Sequence, residues 1–489
     1  MIYQSTRDDR HTADSVTAVL KGIADDGGLY MIRDFGALDL DYRELMGKPT
    51  MEMSRILLHA LLDDFTEAEM AEMVDKAYRG KFETDELTPT VPVGDRFVCE
   101  LFRGPTCAFK DVALSMLPQL LTTARKKAGK QDDTLILTAT SGDTGKAALE
   151  GFRDVPGIRI LVFYPNGGVS AVQKAQMVTQ KGKNVCVCAV NGNFDDAQTG
   201  VKNTFAAFSK MEKADRLSSA NSINIGRLAP QTVYYFKAYS DLLSRGEIRE
   251  GEPVDFVVPT GNFGDILAGY FAKCMGLPVG RLVCASNRNC VLTDFLATGK
   301  YDRCRPFYKT DSPSMDILVS SNLERLLFLL SGDAAEVAGY MKDLNEKGAY
   351  QVTPSLLAKI RETFVGGFCD DAETLQTIRR VYETTGYLCD THTAVAFAVS
   401  EKLPGEDKTV ILSTASPYKF PAAVWAALGH EPMSDEFAVM KALEKETGVP
   451  IPKGLRDLQN LPVLHRDVIE KQDMTDYVLR KAEETSWQA

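Results

Sequence analysis

The residue with the clearest chemical potential is Lys110, which ends the run Gly104-Pro105-Thr106-Cys107-Ala108-Phe109-Lys110. This run, the Lys110 loop, lies between an apolar strand-like stretch and an amphipathic helix. The first turn of a helix carries partial positive charge, and burial beside Phe109 also disfavours a cation. Both effects lower the pKa of the lysine, and a free amine is a nucleophile that forms Schiff bases with carbonyl compounds. A surface lysine at a helix start is the competing interpretation.

A second loop has the features of an anion site. Gly261-Asn262-Phe263-Gly264, the Gly261 loop, separates an apolar strand at residues 254–258 from a helix. Glycine lets the backbone approach an anion closely, and the N–H groups at a helix start bind phosphate. The sequence contains neither G-x-G-x-x-G nor a P-loop, which disfavours NAD and ATP as ligands. A tight turn that merely requires glycine is the alternative.

Two loops that carry hydroxyl groups follow other strand-like segments. Ser141-Gly142-Asp143-Thr144-Gly145, the Ser141 loop, offers hydroxyl and N–H groups to a carboxylate. Ser413-Thr414, at the start of the Thr414 loop (residues 413–417), offers a neutral partner to a ring nitrogen. Each of these loops taken alone is explained as well by a helix cap or a turn. A desolvated lysine, a phosphate site, a carboxylate loop and a ring partner are together what enzymes that use pyridoxal phosphate require.

Composition limits the functions that suit this chain. Its net charge of −11 disfavours a nucleic-acid partner, because phosphate neutralisation needs a basic face. No segment reaches the roughly 20 apolar residues of a membrane span, and the N-terminus has no signal or transit pattern. The ten cysteines are scattered, and the five histidines form no metal pattern. We therefore expect a soluble, cytoplasmic enzyme without a metal, as a monomer or homodimer.

Length and hydrophobic pattern predict several domains. A chain of 489 residues exceeds one compact core. From residue 96, strand-like segments alternate with helical ones, which indicates parallel sheets with helices on both faces. We predict a mainly helical N-terminal subdomain at residues 1–95, a smaller α/β domain at 96–215, and a larger α/β domain with a helical C-terminal region at 216–489. The four loops then fall at the carboxyl ends of strands, where such sheets bind ligands.

Short motifs carry a family resemblance over most of the chain. In chain order they are Ser5-Thr6-Arg7 and residues 22–30, 104–106, 109–111, 138–145, 219–224, 259–265, 312–317, 390–394 and 413–417. With this set the chain resembles the threonine synthases of the longer bacterial and fungal type. That family belongs to the β-family, or fold type II, of pyridoxal-phosphate-dependent enzymes. The resemblance implies two open, mostly parallel-sheet α/β domains like those of the tryptophan synthase β subunit.

The resemblance also implies roles for the loop residues. Lys110 forms the Schiff base with pyridoxal phosphate and afterwards moves protons. The residues implied to bind the cofactor, besides Lys110, are Gly261, Asn262, Phe263, Gly264, Asp265, Ser413 and Thr414. Those implied to bind the substrate are Ser141, Gly142, Asp143, Thr144, Ser222, Asn224 and Arg227.

Within the substrate set, two groups have different expected partners. The Ser141 loop holds the substrate carboxylate or the phenolic oxygen of the cofactor. Ser222, Asn224 and Arg227 are candidates for the substrate's phosphate, because a guanidinium makes bidentate contacts with phosphate. A surface or ion-paired arginine is the alternative for Arg227.

The implied reaction converts O-phospho-L-homoserine and water to L-threonine and phosphate, the last step of threonine biosynthesis. The alternatives are a threonine or serine dehydratase or an amino-phosphate phospholyase of the same fold, and a non-catalytic threonine-synthase-like protein. Residues 221–224 and the chain length disfavour a dehydratase, and an intact Lys110 disfavours a non-catalytic relative. Ser416, where we expect histidine, and Lys146, where we expect a small residue, depart from the family pattern and leave room for different substrate handling.

Overall fold

The computed structural model describes residues 1–38, 40–130, 132–211, 217–484 and 487. Its strands are β1 Tyr3–Ser5, β2 Thr12–Ala13, β3 Tyr30–Ile32, β4 Thr90–Val93, β5 Arg96–Glu100, β6 Thr134–Ala139, β7 Ile158–Pro165, β8 Val185–Asn191, β9 Leu217–Ser219, β10 Val254–Pro259, β11 Val279–Ser286, β12 Lys300–Asp302, β13 Ala349–Gln351, β14 Phe364–Phe368, β15 Lys408–Ser413 and β16 Asp467–Glu470.

The helices connect these strands and cover the sheets. They are α1 Ser15–Lys21, α2 Thr50–Leu61, α3 Glu67–Tyr78, α4 Lys110–Lys127, α5 Asp143–Phe152, α6 Ala171–Val178, α7 Phe194–Lys210, α8 Ile225–Leu228, α9 Thr232–Ser244, α10 Gly264–Cys274, α11 Val291–Thr298, α12 Leu323–Ser331, α13 Ala334–Lys347, α14 Pro354–Arg361, α15 Asp371–Thr385, α16 Thr391–Lys402, α17 Pro421–Ala427, α18 Glu436–Thr447, α19 Lys453–Arg456 and α20 Met474–Glu483. Within the described residues, none of these helices is both long and apolar enough to cross a membrane.

Two open sheets organise most of the chain. The large sheet has the order β14-β11-β10-β15-β5-β4, and all neighbouring strands are parallel except β4, which is antiparallel to β5. The small sheet has the order β16-β8-β7-β6-β9 and is parallel throughout. Every residue of β10 is buried, as expected where helices cover both faces of a sheet. The predicted fold class is confirmed.

The N-terminal region contains a short sheet as well as helices. Helix α2 buries Leu57, Leu58 and Leu61 along one face, and α3 begins with a capping box formed by Thr66 and Glu69. The antiparallel order β2-β1-β3 joins strands of only two or three residues. Strands this short carry too little alternation to be read from sequence. The region is therefore mainly helical, as predicted, with a small sheet that the pattern did not reveal.

Strand pairing differs from the predicted domain ranges at two places. Strand β5 lies in the large sheet beside β15, although it opens the range 96–215 that was assigned to the smaller domain. Strand β16 pairs with β8 in the small sheet, although it lies in the range 216–489. Hydrophobic pattern identifies a strand but does not specify a partner far away in the chain. The boundary between residues 215 and 216 lies outside the described residues, so the predicted ranges stay a prediction.

The sheet order decides which loops meet. Strands β10, β15 and β5 are consecutive and parallel in the large sheet, so their carboxyl ends lie side by side. The Gly261 loop, the Thr414 loop and the Lys110 loop follow these three ends in the same order. The Ser141 loop follows β6 in the small sheet. The site is therefore assembled from both sheets.

Candidate active site

Lys110 is the first residue of α4, and its side chain is 12 % exposed. Its Nζ lies 4.7 Å from the ring centroid of Phe109 and 3.9 Å from Asp143 Oδ2. Burial lowers the pKa of Lys110; Asp143 opposes this, while the cations of Arg227 and Lys419 lower the pKa further. The lysine is therefore poised to supply an uncharged amine, in the direction expected from its position at the start of a helix.

Backbone hydrogen bonds join the Lys110 loop to the Thr414 loop. The N–H of Phe109 donates to the Thr414 carbonyl at 2.8 Å, and the N–H of Ser416 donates to the Cys107 carbonyl at 3.1 Å. Cys107 has a φ of 62°, a left-handed conformation that is uncommon outside glycine. The Ser413 hydroxyl lies 3.0 Å from the Thr393 hydroxyl. Since the Ser413 hydroxyl already has this partner, Thr414 is the better placed of the two for a ligand.

Asp143 receives hydrogen bonds from three directions. Lys419 Nζ lies 2.9 Å and Gln173 Nε2 3.0 Å from its Oδ1, and the Ser314 hydroxyl donates to Oδ2 at 3.4 Å. Burial alone would raise the pKa of Asp143, but the ammonium groups of Lys419 and Lys110 hold it well below its usual range. The side chain of Asp143 is therefore already bonded to other protein groups. The groups of the Ser141 loop that are suited to a substrate carboxylate are its N–H and hydroxyl groups.

The Gly261 loop forms a tight cradle at the start of α10. Phe263 has a φ of 60°, and α10 begins at the next residue, so the N–H groups of its first turn have no partner within the helix. A Cβ on Gly261 would lie 2.9 Å from the Ser314 carbonyl oxygen. The N–H of Asn322 donates to the Asn262 carbonyl at 3.1 Å. Glycine is thus required at position 261 because a side chain would collide with the Ser314 carbonyl, and the N–H groups at the start of α10 are of the kind that can bind phosphate.

Asp265 sits buried in the first turn of α10. Its Oδ1 accepts hydrogen bonds from the Tyr234 hydroxyl at 2.5 Å and the Tyr235 hydroxyl at 3.2 Å. Among the described residues nothing hydrogen-bonds its buried Oδ2. Burial raises the pKa of Asp265 to about 6, although both tyrosine bonds favour the carboxylate. This carboxyl therefore ties the start of α10 to α9 through the two tyrosines instead of offering charge to an anion.

We predict that Asp265→Asn stabilises the fold at neutral pH. The folded pKa of about 6 exceeds the reference value of 3.8, so ionisation destabilises the fold increasingly between these values and by a constant amount above them. Removing the charge should therefore raise the free energy of unfolding by about 3 kcal/mol at pH 7 and by about half of that at pH 5. Denaturant titration of the full-length chain without added cofactor measures both values. The exposed change Asp133→Asn is the control, and an equal effect at both pH values would contradict the explanation.

The segment proposed for the substrate's phosphate contains one unsatisfied cation. Arg227 is 3 % exposed, its Nη1 donates to the Ala220 carbonyl, and among the described residues its buried Nε has no partner. Burial lowers its pKa to about 10. Asn224 is different, because its amide accepts from the Gly226 N–H and donates to the Val19 carbonyl, both within 3 Å. Asn224 thus caps the helix that carries Arg227, and Ser222 accepts a hydrogen bond from Asn322 Nδ2 at 3.3 Å.

Sequence reasoning missed three residues of the site. Lys419 follows the Thr414 loop by two positions, but its role depends on contacts with other parts of the chain. Ser314 touches both the Gly261 loop and Asp143. His392 Nδ1 lies 2.7 Å from Asp390 Oδ2, and its Nε2 accepts from the Ser314 N–H at 3.1 Å, which identifies the Nδ1–H tautomer. Ser314 and His392 both occur in the motifs of residues 312–317 and 390–394, so the motifs were the available signal.

Two other predictions concern residues outside this arrangement. Lys146 Nζ lies 3.5 Å from Glu150 Oε2 on α5 and also donates to Gln180, so the side chain that departs from the family pattern is bonded to these two residues. No metal was expected. Among the residues that the structure describes, Asp8, His11 and Asp26 place possible ligand atoms within 4.8 Å of one another. They are partly exposed, and acidic groups often cluster so without an ion.

Comparison with known proteins decides the family. The profile described as threonine synthase N terminus matches residues 2–78, that of the threonine synthase C-terminal region matches 393–475, and that of pyridoxal-phosphate dependent enzymes matches 93–415. Threonine synthase of Pseudomonas aeruginosa is 39% identical over 442 residues, covering 88% of this chain and 92% of that protein. The chain belongs to the threonine synthase family.

Other members of the threonine synthase family show the same likeness. The crystal structure of a PLP-bound threonine synthase from Brucella melitensis matches with a TM-score of 0.88 and 39% identity, over 99% of this chain and 100% of that one. Threonine synthase-like 1 of Homo sapiens is 40% identical over 429 residues, which cover 84% of this chain. The chain spans only 57% of the length of that relative.

The residues present fit the family's cofactor, pyridoxal phosphate. Lys110 is a buried amine of lowered pKa, and the Gly261 loop is a glycine cradle at a helix start. Two buried polar atoms that lack partners among the described residues, Arg227 Nε and Asp265 Oδ2, belong to groups that act on the Lys110 pKa. A buried polar atom without a partner needs an explanation, and a bound group can supply the missing partner. The cofactor prediction is confirmed.

Proposed function

We propose that this chain converts O-phospho-L-homoserine and water to L-threonine and phosphate. The observation that supports the proposal is that two separate features suited to phosphate accompany Lys110. One is the Gly261 loop, and the other is Arg227, a buried guanidinium whose Nε has no partner among the described residues. A phosphorylated cofactor and a phosphorylated substrate together require two such features. Buried guanidinium groups suit phosphate because they make charge-assisted, bidentate contacts.

Each side chain has a defined task in this proposal. Pyridoxal phosphate, when bound, supplies the aldehyde and the ring that accepts electrons from the broken C–H bond. Lys110 Nζ takes the proton from the substrate's α carbon and returns one to the γ carbon, because burial keeps its pKa low enough for both roles. Thr414 would offer a neutral hydroxyl to the ring nitrogen. Asp143 anchors the Ser141 loop through Lys419, so that Ser141, Gly142 and Thr144 face the substrate carboxylate.

The phosphate groups are divided between the two features. The N–H groups of the Gly261 loop would hold the phosphate of the cofactor, and Asp265 would fix the start of α10 through Tyr234 and Tyr235. Arg227 holds the phosphate of the substrate, with Ser222 beside it and Asn224 fixing the start of its helix. The hydroxyl of Ser413, the residue before Thr414, forms a hydrogen bond with the Thr393 hydroxyl and so helps to fix the position of Thr414. Cytoplasmic localisation and a monomeric or homodimeric state stay predictions.

A product assay tests the function. The purified chain with added pyridoxal phosphate is expected to release phosphate from O-phospho-L-homoserine and to form L-threonine in equal amount. Ammonia release from L-threonine or L-serine without phosphate release would instead identify a dehydratase. Phosphate released without L-threonine would identify a phospholyase.

A second candidate function comes from one comparison. Threonine synthase-like 1 is about as similar to this chain as a threonine synthase is, at 40% and 39% identity. The two alternatives expected from the sequence, an amino-phosphate phospholyase of the same fold and a non-catalytic threonine-synthase-like protein, are therefore included in the test. The same assay with O-phospho-L-homoserine and phosphoethanolamine in parallel separates them from the proposed function. Faster release of phosphate from phosphoethanolamine would favour the phospholyase, and no release from either substrate would favour a non-catalytic relative.

A further inference from the structure

Lys419 is a buried lysine whose ammonium group is fully bonded. Its side chain is 0 % exposed, and its Nζ lies 2.9 Å from Asp143 Oδ1, 2.6 Å from Gln176 Oε1 and 3.2 Å from the Thr106 carbonyl oxygen. An ammonium group has three N–H donors, and each finds one of these acceptors. Burial without such partners would favour the neutral amine. The three acceptors therefore accommodate the ammonium form, whose positive charge also acts on Lys110.

Lys419 and Lys110 share one carboxylate. Asp143 Oδ1 is 2.9 Å from Lys419 Nζ, and Asp143 Oδ2 is 3.9 Å from Lys110 Nζ. Among the described residues these are the cations within 4 Å of that carboxylate. The shorter contact is made by the lysine that has no access to solvent. One negative charge is therefore balanced by Lys419, and Lys110 is left as a surplus cation whenever it is protonated.

Other charged groups around the two lysines do not change this balance. Arg227 on α8 and Asp265 on α10 also act on the pKa of Lys110 but in opposite directions, since Arg227 lowers it and Asp265 raises it. Lys419 acts on the pKa of buried Asp111, whose carboxylate accepts from the Thr106 N–H and hydroxyl at 2.8 and 2.5 Å. Lys146 is paired with Glu150. The balance of charge between Lys110 and Lys419 therefore depends on which of them pairs with Asp143.

We propose that Lys419 is a positioning residue that neutralises Asp143 and thereby leaves Lys110 free to lose its proton. Without Lys419, the buried carboxylate of Asp143 would have Lys110 as its remaining cation within 4 Å. A buried carboxylate strongly favours a charged partner, and a charged lysine is not a nucleophile. The inference rests on the use of Lys110 as an amine in the proposed function, but it does not depend on which substrate is converted.

A purely structural role for Lys419 is the alternative explanation. Its side chain links the Lys110 loop, α6 and α5 through Thr106, Gln176 and Asp143. The two readings differ in what a second substitution does. If charge balance matters, removing Asp143 together with Lys419 restores the amine. If Lys419 only holds these elements together, removing Asp143 as well lowers the reactivity of the Lys110 amine further.

Amine reactivity measures the proposal without any substrate. The full-length chain, freed of cofactor, is treated with trace acetic anhydride across a pH series, and acetylation of Lys110 is quantified by mass spectrometry. Lys419→Met is expected to lower the reactivity of Lys110 at pH 7 by about tenfold, the size of effect expected for a charge within 4–6 Å. The double variant Lys419→Met with Asp143→Asn should return it to within about threefold of the unmodified chain. Asp143→Asn alone should increase the reactivity.

A matched control and a second readout complete the test. Lys146→Met removes another largely buried lysine, paired with Glu150, and should leave the reactivity of Lys110 unchanged. Titration with pyridoxal phosphate, followed by absorbance, should need a higher pH for half-maximal binding in Lys419→Met than in the unmodified chain. An unchanged Lys110 in Lys419→Met would overturn the proposal, and so would a double variant as unreactive as the single one.

The outcome is also separable from that of the proposed function. If no phosphate is released from O-phospho-L-homoserine but Lys110 responds as described, the substrate is wrong and the role of Lys419 stands. If Lys419→Met does not fold, Asp143→Asn supplies the decisive measurement. Unchanged reactivity of Lys110 in that variant would then overturn the proposal.

Discussion

Replacing Lys110 by alanine is expected to lower phosphate release from O-phospho-L-homoserine by about 10⁴-fold, because one amine serves as both base and acid. The side chain is buried beside Phe109, and its pKa is lowered by burial and by two neighbouring cations. Among the residues that the structure describes, neighbouring Lys419 does not replace it, because all its donors are bonded and its side chain has no exposed surface. Phosphate release and the absorbance of bound cofactor are measured on the same preparation.

The control for this substitution is Lys146→Ala. Lys146 is also a largely buried lysine of lowered pKa, but its partners are Glu150 and Gln180. It should keep most of the turnover and the absorbance of the cofactor. Turnover of Lys110→Ala within tenfold of the unmodified chain would remove Lys110 from its proposed role. Loss of turnover in Lys146→Ala to the same extent would point to a general defect of folding.

Replacing Arg227 by methionine is expected to raise the KM for O-phospho-L-homoserine by about 10- to 100-fold, the size expected for a charge-assisted hydrogen bond to phosphate. Methionine fills similar space, so the buried site is not left empty. The cation of Arg227 also lowers the pKa of Lys110, so its loss should move the rising limb of the pH–rate profile to higher pH. Steady-state kinetics across a pH series records both effects.

The affinity for pyridoxal phosphate distinguishes the two phosphates in the Arg227→Met experiment. If Arg227 meets the substrate, cofactor affinity changes little while KM rises. If cofactor affinity falls by the larger factor, Arg227 belongs to the cofactor's phosphate and the proposed division is wrong. Arg125→Met is the control, because Arg125 is a buried arginine in the last turn of α4 that donates to Thr134 and to the Asp132 carbonyl.

Local pattern was sufficient to predict much of the fold. The alternation after residue 96 led to parallel sheets, and the four loops were placed at the carboxyl ends of strands. Lys110 was predicted from the chemistry of its position, since helix start and burial act on any lysine placed there. The hydrophobic pattern does not indicate which strands pair when they lie far apart in the chain. Strand β16 is short, exposed and acidic at both ends, so nothing in its composition indicates that it joins the small sheet.

The rest of the candidate site depends on contacts that no local window holds. Lys419 looks like an ordinary lysine in Pro417-Tyr418-Lys419, and only its three acceptors from other elements make it part of the site. Asn224 and Asp143 are suitable polar residues by type, but their side chains are occupied by protein partners. The sequence thus predicts that a polar residue lies near a loop. It does not predict whether the side chain bonds to other protein groups or is free to bond to a ligand.

The position of β15 between β10 and β5 has a consequence for how the protein is made. Phe97, just before the Lys110 loop, pairs with Val410, and Phe109 depends on the Thr414 carbonyl. A ribosome adds residues from the N-terminus, so Lys110 leaves it long before its neighbours exist. Until β15 has emerged, β5 has an open edge and Lys110 has no partner loop. We therefore expect cofactor loading to require β15, because a polypeptide cut short before residue 408 carries Lys110 without the Thr414 loop beside it.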